Sequence, residues 1–383
     1  MRGNEYIQIL NQDNSAIKIK TKIGFNCFSI YRNIDENLFV NYTNIRQIHF
    51  YDCSRLVNLP TLPEGLRHLE IWNCKNLIQL SSFPNSLLNI ILSGGQFIEL
   101  PVLPADLQKL VFQNWHLTNL SALPINLQEL HCSFNQLTSL PELPPGLREL
   151  HCYGNQLINF NNVHLPTSLQ ELHCSNNQLT SLPDLSSLVS LQKLNCTYNQ
   201  LTSLSALPES LQILECERNQ LISLPDLSSL TNLYQLNCNH NKLTNLTIPR
   251  SLGVLWCEYN QLTSLPALPA GLQVLYCSHN QLTNLSTLPK MMIIGCRLRC
   301  DINLLPTEIH KVLELDNRLV NCSLETLNKI NAHIKAKNKI EEYKQEIEKL
   351  KEIIEEMKMA PGGEYYQIAK ERFEERIKNF SEN

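Results

Sequence analysis

The stretch Leu127-Gln-Glu-Leu130-His-Cys132-Ser-Phe-Asn135-Gln-Leu137-Thr-Ser-Leu140-Pro-Glu-Leu143-Pro-Pro-Gly146 decides the fold. Leu130 and Cys132 alternate with His131 and Ser133, the period-two pattern of a short strand with one buried face. Leu127, Leu137, Leu140 and Leu143 complete an inward-facing set that one coil of the chain cannot enclose by itself. The frame Leu-x-x-Leu-x-Cys-x-x-Asn-x-Leu then recurs eight times between Leu127 and Leu282, at intervals of 19 to 22 residues. Repetition at so short a period means coils that stack and share one continuous core. Their strands should be parallel rungs about 4.8 Å apart. Pro141, Pro144 and Pro145 forbid a helix on the return stroke, so the convex side should be extended or polyproline-like.

Outward from this run, looser copies begin at Ile45: Ile45, Ile48 and Phe50, then Leu66, Leu69 and Ile71, then Leu87, Ile90 and Leu92, then Leu107, Leu110 and Phe112. Gly95 and Trp115 stand where the frame calls for Asn, so local irregularity is expected there, with Trp115 either filling the core or binding a partner. About twelve clear repeats are followed by two degenerate ones, around Cys300-Asp-Ile302 and Asn317-Arg-Leu319. The expected architecture is an α/β leucine-rich repeat solenoid: short parallel strands on a concave face, an extended convex side, and C-terminal helices. Residues 1–44, with alternating stretches such as Tyr6-Ile-Gln-Ile-Leu10 and Ala16-Ile-Lys-Ile-Lys20, read as a strand-rich cap. The solenoid takes 45–322. In 323–383 Lys and Glu dominate, and Ile340, Tyr343, Ile347, Leu350, Ile354 and Met357 follow heptad spacing before Ala360-Pro-Gly-Gly363. That segment reads as either a helical hairpin docked on the last repeats or a partner-binding coiled coil.

Two ladders run through the repeats. Asn135, Asn155, Asn177, Asn199, Asn219, Asn241, Asn260 and Asn280 share one offset. An amide offers donors and an acceptor, so this ladder should satisfy main-chain groups where the strand turns away. Cys132, Cys152, Cys174, Cys196, Cys216, Cys238, Cys257 and Cys277 share another, as small buried hydrophobes in place of Leu. Disulfides between in-register neighbours would be strained, and free thiols suit a reducing compartment. Cys53 and Cys74 take the Asn offset in early repeats, while Cys27, Cys296 and Cys322 belong to neither ladder.

A net charge of −4 gives nucleic acid little to hold on to. No apolar run is long enough to span a membrane, and no conventional signal peptide is legible at the start. There is no nucleophile–base pairing, phosphate loop or paired-carboxylate cleft to read. No catalytic residue and no cofactor is expected, and the chain reads as a non-enzyme.

Binding should fall on outward strand side chains. Trp256, Tyr259 and Tyr276, with Tyr198 and Tyr234 nearby, make the densest aromatic patch, and aromatics with Arg dominate protein recognition. Trp72, Tyr153, Glu215, Glu217, Arg218 and Glu258 occupy the same columns. His131, His151 and His173 stack on adjacent rungs, each two positions after Glu129, Glu149 or Glu171. Imidazole suits zinc. Parallel rungs, though, should point the rings alike, so no metal site is expected, only a Glu/His stripe that contacts a partner and responds to pH.

The stretches Leu137-Thr-Ser-Leu-Pro-Glu-Leu-Pro-Pro-Gly146 and Leu262-Thr-Ser-Leu-Pro-Ala-Leu-Pro-Ala-Gly271 closely resemble the short LPX class of bacterial leucine-rich repeats, found in translocated effectors of the IpaH and YopM type. The 22-residue variants ending Leu182-Pro-Asp-Leu-Ser-Ser-Leu-Val189 look more like internalin-style repeats. The helical ligase domain of IpaH-type effectors, with its Cys-x-Asp motif, has no counterpart here, so ubiquitin-ligase activity is not implied. A strand-like segment also stands where such effectors carry an N-terminal helical hairpin. The end, Glu371-Arg-Phe-Glu-Glu375, looks like a glutamate-rich type IV export signal. The resemblance implies a non-enzymatic scaffold translocated into a host cytoplasm, gripping a host protein on its concave face. Two alternatives stand beside it: an adaptor or inhibitor of another bacterial protein or effector, and an enzyme with chemistry in a terminal segment. The oligomeric state is left open.

Overall fold

The computed structural model describes Tyr6–Leu10, Ala16–Lys20, residues 45–282 apart from 52, 54, 55, 79, 81, 96–99 and 162, Arg297–Asp301, Leu319–Ser323, and five isolated helical positions between 345 and 371. The chain divides into two compact units, Met1–Ile293 and Ile294–Asn383. In the first, β1 (Tyr6–Leu10) and β2 (Ala16–Lys20) pair antiparallel. Twelve parallel strands then follow in chain order, from β3 (Gln47–Tyr51) to β14 (Val274–Tyr276), forming a solenoid of about eleven turns. The in-register neighbours include Leu130↔Leu150 and Leu214↔Leu236, as the repeat frame demands.

Four early strands, β3 to β6 (Lys109–Gln113), are five residues long, and the eight from β7 (Glu129–His131) onward are three. Pairing nevertheless continues past each short strand. The ladder cysteine donates to the next rung, as in Cys132 N to His151 O at 2.7 Å, and so does the residue two further on, as in Phe134 N to Tyr153 O at 2.9 Å. The return strokes are extended and contain no helix among the described residues. Most close on a turn set by proline, such as Leu127 N to Pro124 O and Leu147 N to Pro144 O, both 3.1 Å. The Leu-Ser-Ser-Leu variants close with two successive turns, Leu188 N to Leu185 O and Leu191 N to Leu188 O. The second turn accommodates their extra residues.

The frame leucines and the ladder cysteines are buried, and the ten cysteines between residues 45 and 282 are free thiols. Burial pushes the thiols of Cys132, Cys196 and Cys238 up to about 12. The asparagines form a continuous hydrogen-bonded rail. Asn199 Oδ1 accepts from Leu179 N at 3.0 Å, and its Nδ2 donates to Cys174 O at 3.0 Å and Cys196 O at 3.1 Å. Asn219 repeats the pattern one rung on, with Leu201 N, Cys196 O and Cys216 O. Each ladder cysteine carbonyl from Cys132 to Cys257 thus accepts from two consecutive asparagines, and each asparagine ties its coil to the one before.

Where Asn is missing, the chain finds other solutions. At the Cys53 and Cys74 offsets the following leucine amide bonds the cysteine carbonyl itself, Leu56 N to Cys53 O at 3.1 Å and Leu77 N to Cys74 O at 3.0 Å. Trp115 is buried and fills the core, which decides between its two expected roles. Its ring occupies the space beside Gly95, where any Cβ would come within 2.1 Å of Trp115 Cζ3. Glycine and tryptophan on adjacent rungs are a small–large pair, and the irregularity shows as a positive φ at His116.

In the second unit, β15 (Arg297–Asp301) and β16 (Leu319–Ser323) pair antiparallel. The segments read as two degenerate repeats are therefore not a pair of parallel rungs. Gln345, Glu348, Lys349, Glu352 and Glu371 are helical and exposed, while the heptad positions and the Ala360–Gly363 turn lie outside the described residues. No helix among the described residues is long and apolar enough to cross a membrane.

Candidate functional site

Outward side chains stand in three columns along the sheet, because every strand starts in register with its neighbour. The column one residue beyond the ladder cysteine, expected to face solvent, is largely sunk. Ser133, Ser175 and Ser278 are buried, and Glu258 is only 5% exposed, its carboxylate accepting from Ser278 Oγ. Glu258 is thus corrected from a docking residue to a buried acceptor. These side chains are mostly short, and taller residues stand on either side of them.

The next position along each coil takes the left-handed conformation. Asn73, Gly94, Asn114, Gly154 and Asn176 there have φ between 51° and 72°, as Gly and Asn readily do. Phe134, Tyr198, Arg218, His240, Tyr259 and His279 hold the same conformation, with φ between 52° and 56°. For such side chains it costs about 1–2 kcal/mol each. Over five consecutive rungs Tyr198, Arg218, His240, Tyr259 and His279 form an outward row. Arg218 lies over the Tyr198 ring at 5.0 Å, His240 stacks on Tyr259 at 4.2 Å, and Tyr259 stacks on His279 at 4.1 Å. Tyr198 and Tyr259 remain 47% and 42% exposed. The sequence places Phe134, His240 and His279 in the same outward column but did not mark them out as docking residues. The available signal was a bulky residue at an offset where neighbouring repeats place Gly or Asn.

The remaining expected residues fall into separate groups. Trp256 and Tyr276 sit on adjacent rungs with ring centroids 6.5 Å apart, and Trp256 Nε1 is buried without a hydrogen-bond partner. Tyr234 is not joined to them. Its ring lies over Gly253, at the start of the strands, and its hydroxyl donates to Gln273 Oε1 at 3.1 Å. Glu215 accepts from Asn195 Nδ2 at 2.6 Å and Gln235 Nε2 at 3.2 Å, and burial together with Glu217 raises its pKa. Glu217 accepts from Asn237 Nδ2 at 2.9 Å and lies 3.5 Å from Arg218 Nε. Trp72 is exposed, its indole donating to Glu70 Oε1 at 2.5 Å.

His131, His151 and His173 do gather, with Tyr153 beside His173 at 5.3 Å and Phe134 edge-on to Tyr153 at 5.0 Å. His131 and His151 stack in parallel at 4.0 Å, and His173 meets His151 edge-on at 5.3 Å. His131 Nε2 lies 3.3 Å from Glu149, His151 Nε2 3.8 Å from Glu171, and Lys193 Nζ 2.6 Å from Glu171. Lys109 pairs with Glu129. Burial lowers all three imidazole pKa values, and neighbouring cations lower them further: Lys109 for His131, His131 for His151, and His151 for His173.

Among the described residues, two groups bring metal-ligating atoms within 4.8 Å of one another: His131, Glu149 and His151, and a second one, His49, His68 and Glu70, that the sequence reading did not single out. The expectation that parallel rungs keep their imidazoles from converging thus needs qualifying. Rung geometry aligns the backbones, but side-chain rotamers can still bring ring nitrogens to one carboxylate.

The stacked rungs and their asparagine rail define a leucine-rich repeat solenoid. Residues 167–209 match the family model described as Leucine Rich repeats (2 copies). YopM from Yersinia pestis, described as a leucine-rich effector protein, is 32% identical, with 63% of this chain and 73% of that chain covered and a TM-score of 0.53. YopM from Yersinia enterocolitica WA-314 is 30% identical over 64% and 67% of the two chains, with a TM-score of 0.47. A Shigella effector repeat domain is 31% identical over 41% and 71%, with a TM-score of 0.37. The chain belongs to the bacterial leucine-rich repeat effectors of the YopM type. No curated protein matches it in sequence.

Proposed function

We propose that this chain is a non-catalytic scaffold, translocated into a host cytoplasm, that grips a host protein along the outward face of its sheet. The observation that carries the reading is the row Tyr198, Arg218, His240, Tyr259 and His279. Large planar groups are held exposed there in a backbone conformation that favours Asn or Gly. Strain of this kind, kept over five successive rungs, clusters at functional sites and ligand clamps. Aromatic and guanidinium groups are also the commonest anchors of protein interfaces. Trp256 and Tyr276 extend the surface across the sheet, and family membership supports the effector role.

The test is parallel affinity capture from host-cell and bacterial lysates, with the wild-type chain and a Tyr198→Asn/Trp256→Ala/Tyr259→Asn variant. Asn suits the left-handed positions. Its relief of about 1–2 kcal/mol per site offsets the loss of stacking worth about 0.5–1.5 kcal/mol. The variant should therefore keep the wild-type fold and melting behaviour while losing a host protein. Enrichment of a bacterial protein alone would favour an adaptor or inhibitor. Equal capture by the folded variant would remove this face as the docking surface.

A further inference from the structure

We propose that His49, His68 and Glu70 form a binding site for one zinc-class divalent ion on the first two rungs of the solenoid. Period-two alternation puts His68 and Glu70 on the same face of β4 (His68–Trp72), and the parallel register sets His49 of β3 directly beside Glu70. His49 Nδ1 contacts Glu70 Oε2, and His68 Nε2 lies 3.7 Å from the same oxygen. Both imidazole nitrogens therefore point at one place. The rings are tilted by 42°, with centroids 5.1 Å apart. The group at His131 and His151 differs here: His131 Nε2 lies against Glu149 and His151 Nε2 against Glu171, two different carboxylates.

The dimensions suit the ion. The three ligand atoms lie within 4.8 Å of one another. A tetrahedral zinc with bonds of about 2.1 Å holds its ligands about 3.4 Å apart, so small side-chain rotations close the site. The set is two imidazoles and one carboxylate, borderline donors that favour zinc over calcium or magnesium. The other oxygen of Glu70 already accepts from Trp72 Nε1, the outer hydrogen bond that commonly fixes a ligating carboxylate. The side chains of His49, His68 and Glu70 are 15–21% exposed, leaving the group reachable from outside. Three protein ligands leave a fourth tetrahedral position, on the outward face of the sheet, for water or a partner's side chain.

The experiment uses the full-length, untagged, reduced protein stripped of metal, titrated with Co²⁺ and then Zn²⁺. The expected result is one Co²⁺ bound with tetrahedral d–d absorption and no thiolate charge-transfer band, displaced by Zn²⁺. His68→Gln and Glu70→Gln should each weaken binding at least about 100-fold, and Trp72→Phe, at an exposed position, about tenfold. His131→Gln/His151→Gln should leave it unchanged. The Trp72 variant keeps the test open if a ligand variant fails to fold. Three results would each overturn the proposal: no binding at micromolar Zn²⁺, a thiolate-type cobalt spectrum, or affinity indifferent to the Glu70 and Trp72 substitutions.

Discussion

Replacing Asn199 by Ala isolates what the asparagine rail contributes. The substitution removes one acceptor and two side-chain N–H donors, which reach three carbonyls, Cys174 O, Cys196 O and Thr197 O. Leu179 N–H loses Asn199 Oδ1, whereas Cys174 O keeps Asn177 Nδ2 at 3.1 Å and Cys196 O keeps Asn219 Nδ2 at 3.0 Å. Only the Leu179 amide, buried with its side chain, is left with no acceptor from the rail. An orphaned buried amide costs about 1–3 kcal/mol, and the two lost side-chain N–H donations add about 0.5–1.5 kcal/mol each, for a total of roughly 2–6 kcal/mol. Urea denaturation measures the sum, with exposed Gln200→Ala as a control expected within about 0.5 kcal/mol of wild type. Native-state hydrogen exchange localises it. The Leu179 amide should lose protection, while the Leu201 amide, held by Asn219, should keep it. A loss below about 1 kcal/mol, or an unchanged Leu179 amide, would refute the assignment of the rail as the stitch between coils.

Three further outcomes follow from the same geometry. A thiol pushed up to about 12 has only about one molecule in ten thousand as thiolate at pH 8, so Cys132, Cys196 and Cys238 should resist a disulfide reagent until the protein unfolds; rapid labelling of native material would disprove the inward ladder. His131, His151 and His173 have pKa values lowered in the folded state, so the unfolded chain takes protons first. Denaturation in metal-free buffer should therefore show stability falling as pH drops below about 6.5 and levelling once the folded imidazoles titrate, with His131→Asn/His151→Asn/His173→Asn flattening that slope; an unchanged slope in the triple variant would contradict it. Gly95→Ala should destabilise by about 1–3 kcal/mol through collision with the Trp115 ring, and adding Trp115→Asn should recover part of the loss; equal stability of Gly95→Ala and wild type in a thermal melt would count against the small–large pair.

Local pattern reached far in this chain because a solenoid repeats one local solution. Leu130, Cys132 and Asn135 have fixed offsets, and each coil meets only its neighbours, so the frame alone determined strand, core, rail and parallel register. The degenerate segments near Cys300 and Leu319 misled for the same reason: once the offsets decay, apolar alternation does not distinguish a parallel rung from an antiparallel pair.

What the sequence could not decide was height and torsion on the outward face. Alternation says that Glu258 and Trp256 point outward, but whether a side chain emerges depends on its neighbours, and Glu258 is sunk beside Ser278. A bulky residue at φ near +54° is invisible to period-two reasoning, since the backbone is held there by the hydrogen bond of Tyr259 N to Ser278 O on the next rung. His49 and the His68–Glu70 pair lie about twenty residues apart in the chain, and only the register of stacked coils brings their nitrogens to one oxygen. Inward identity is written residue by residue because the core accepts little else. Outward meeting points depend on rotamers and cross-rung contacts, which exist only once the coils are stacked.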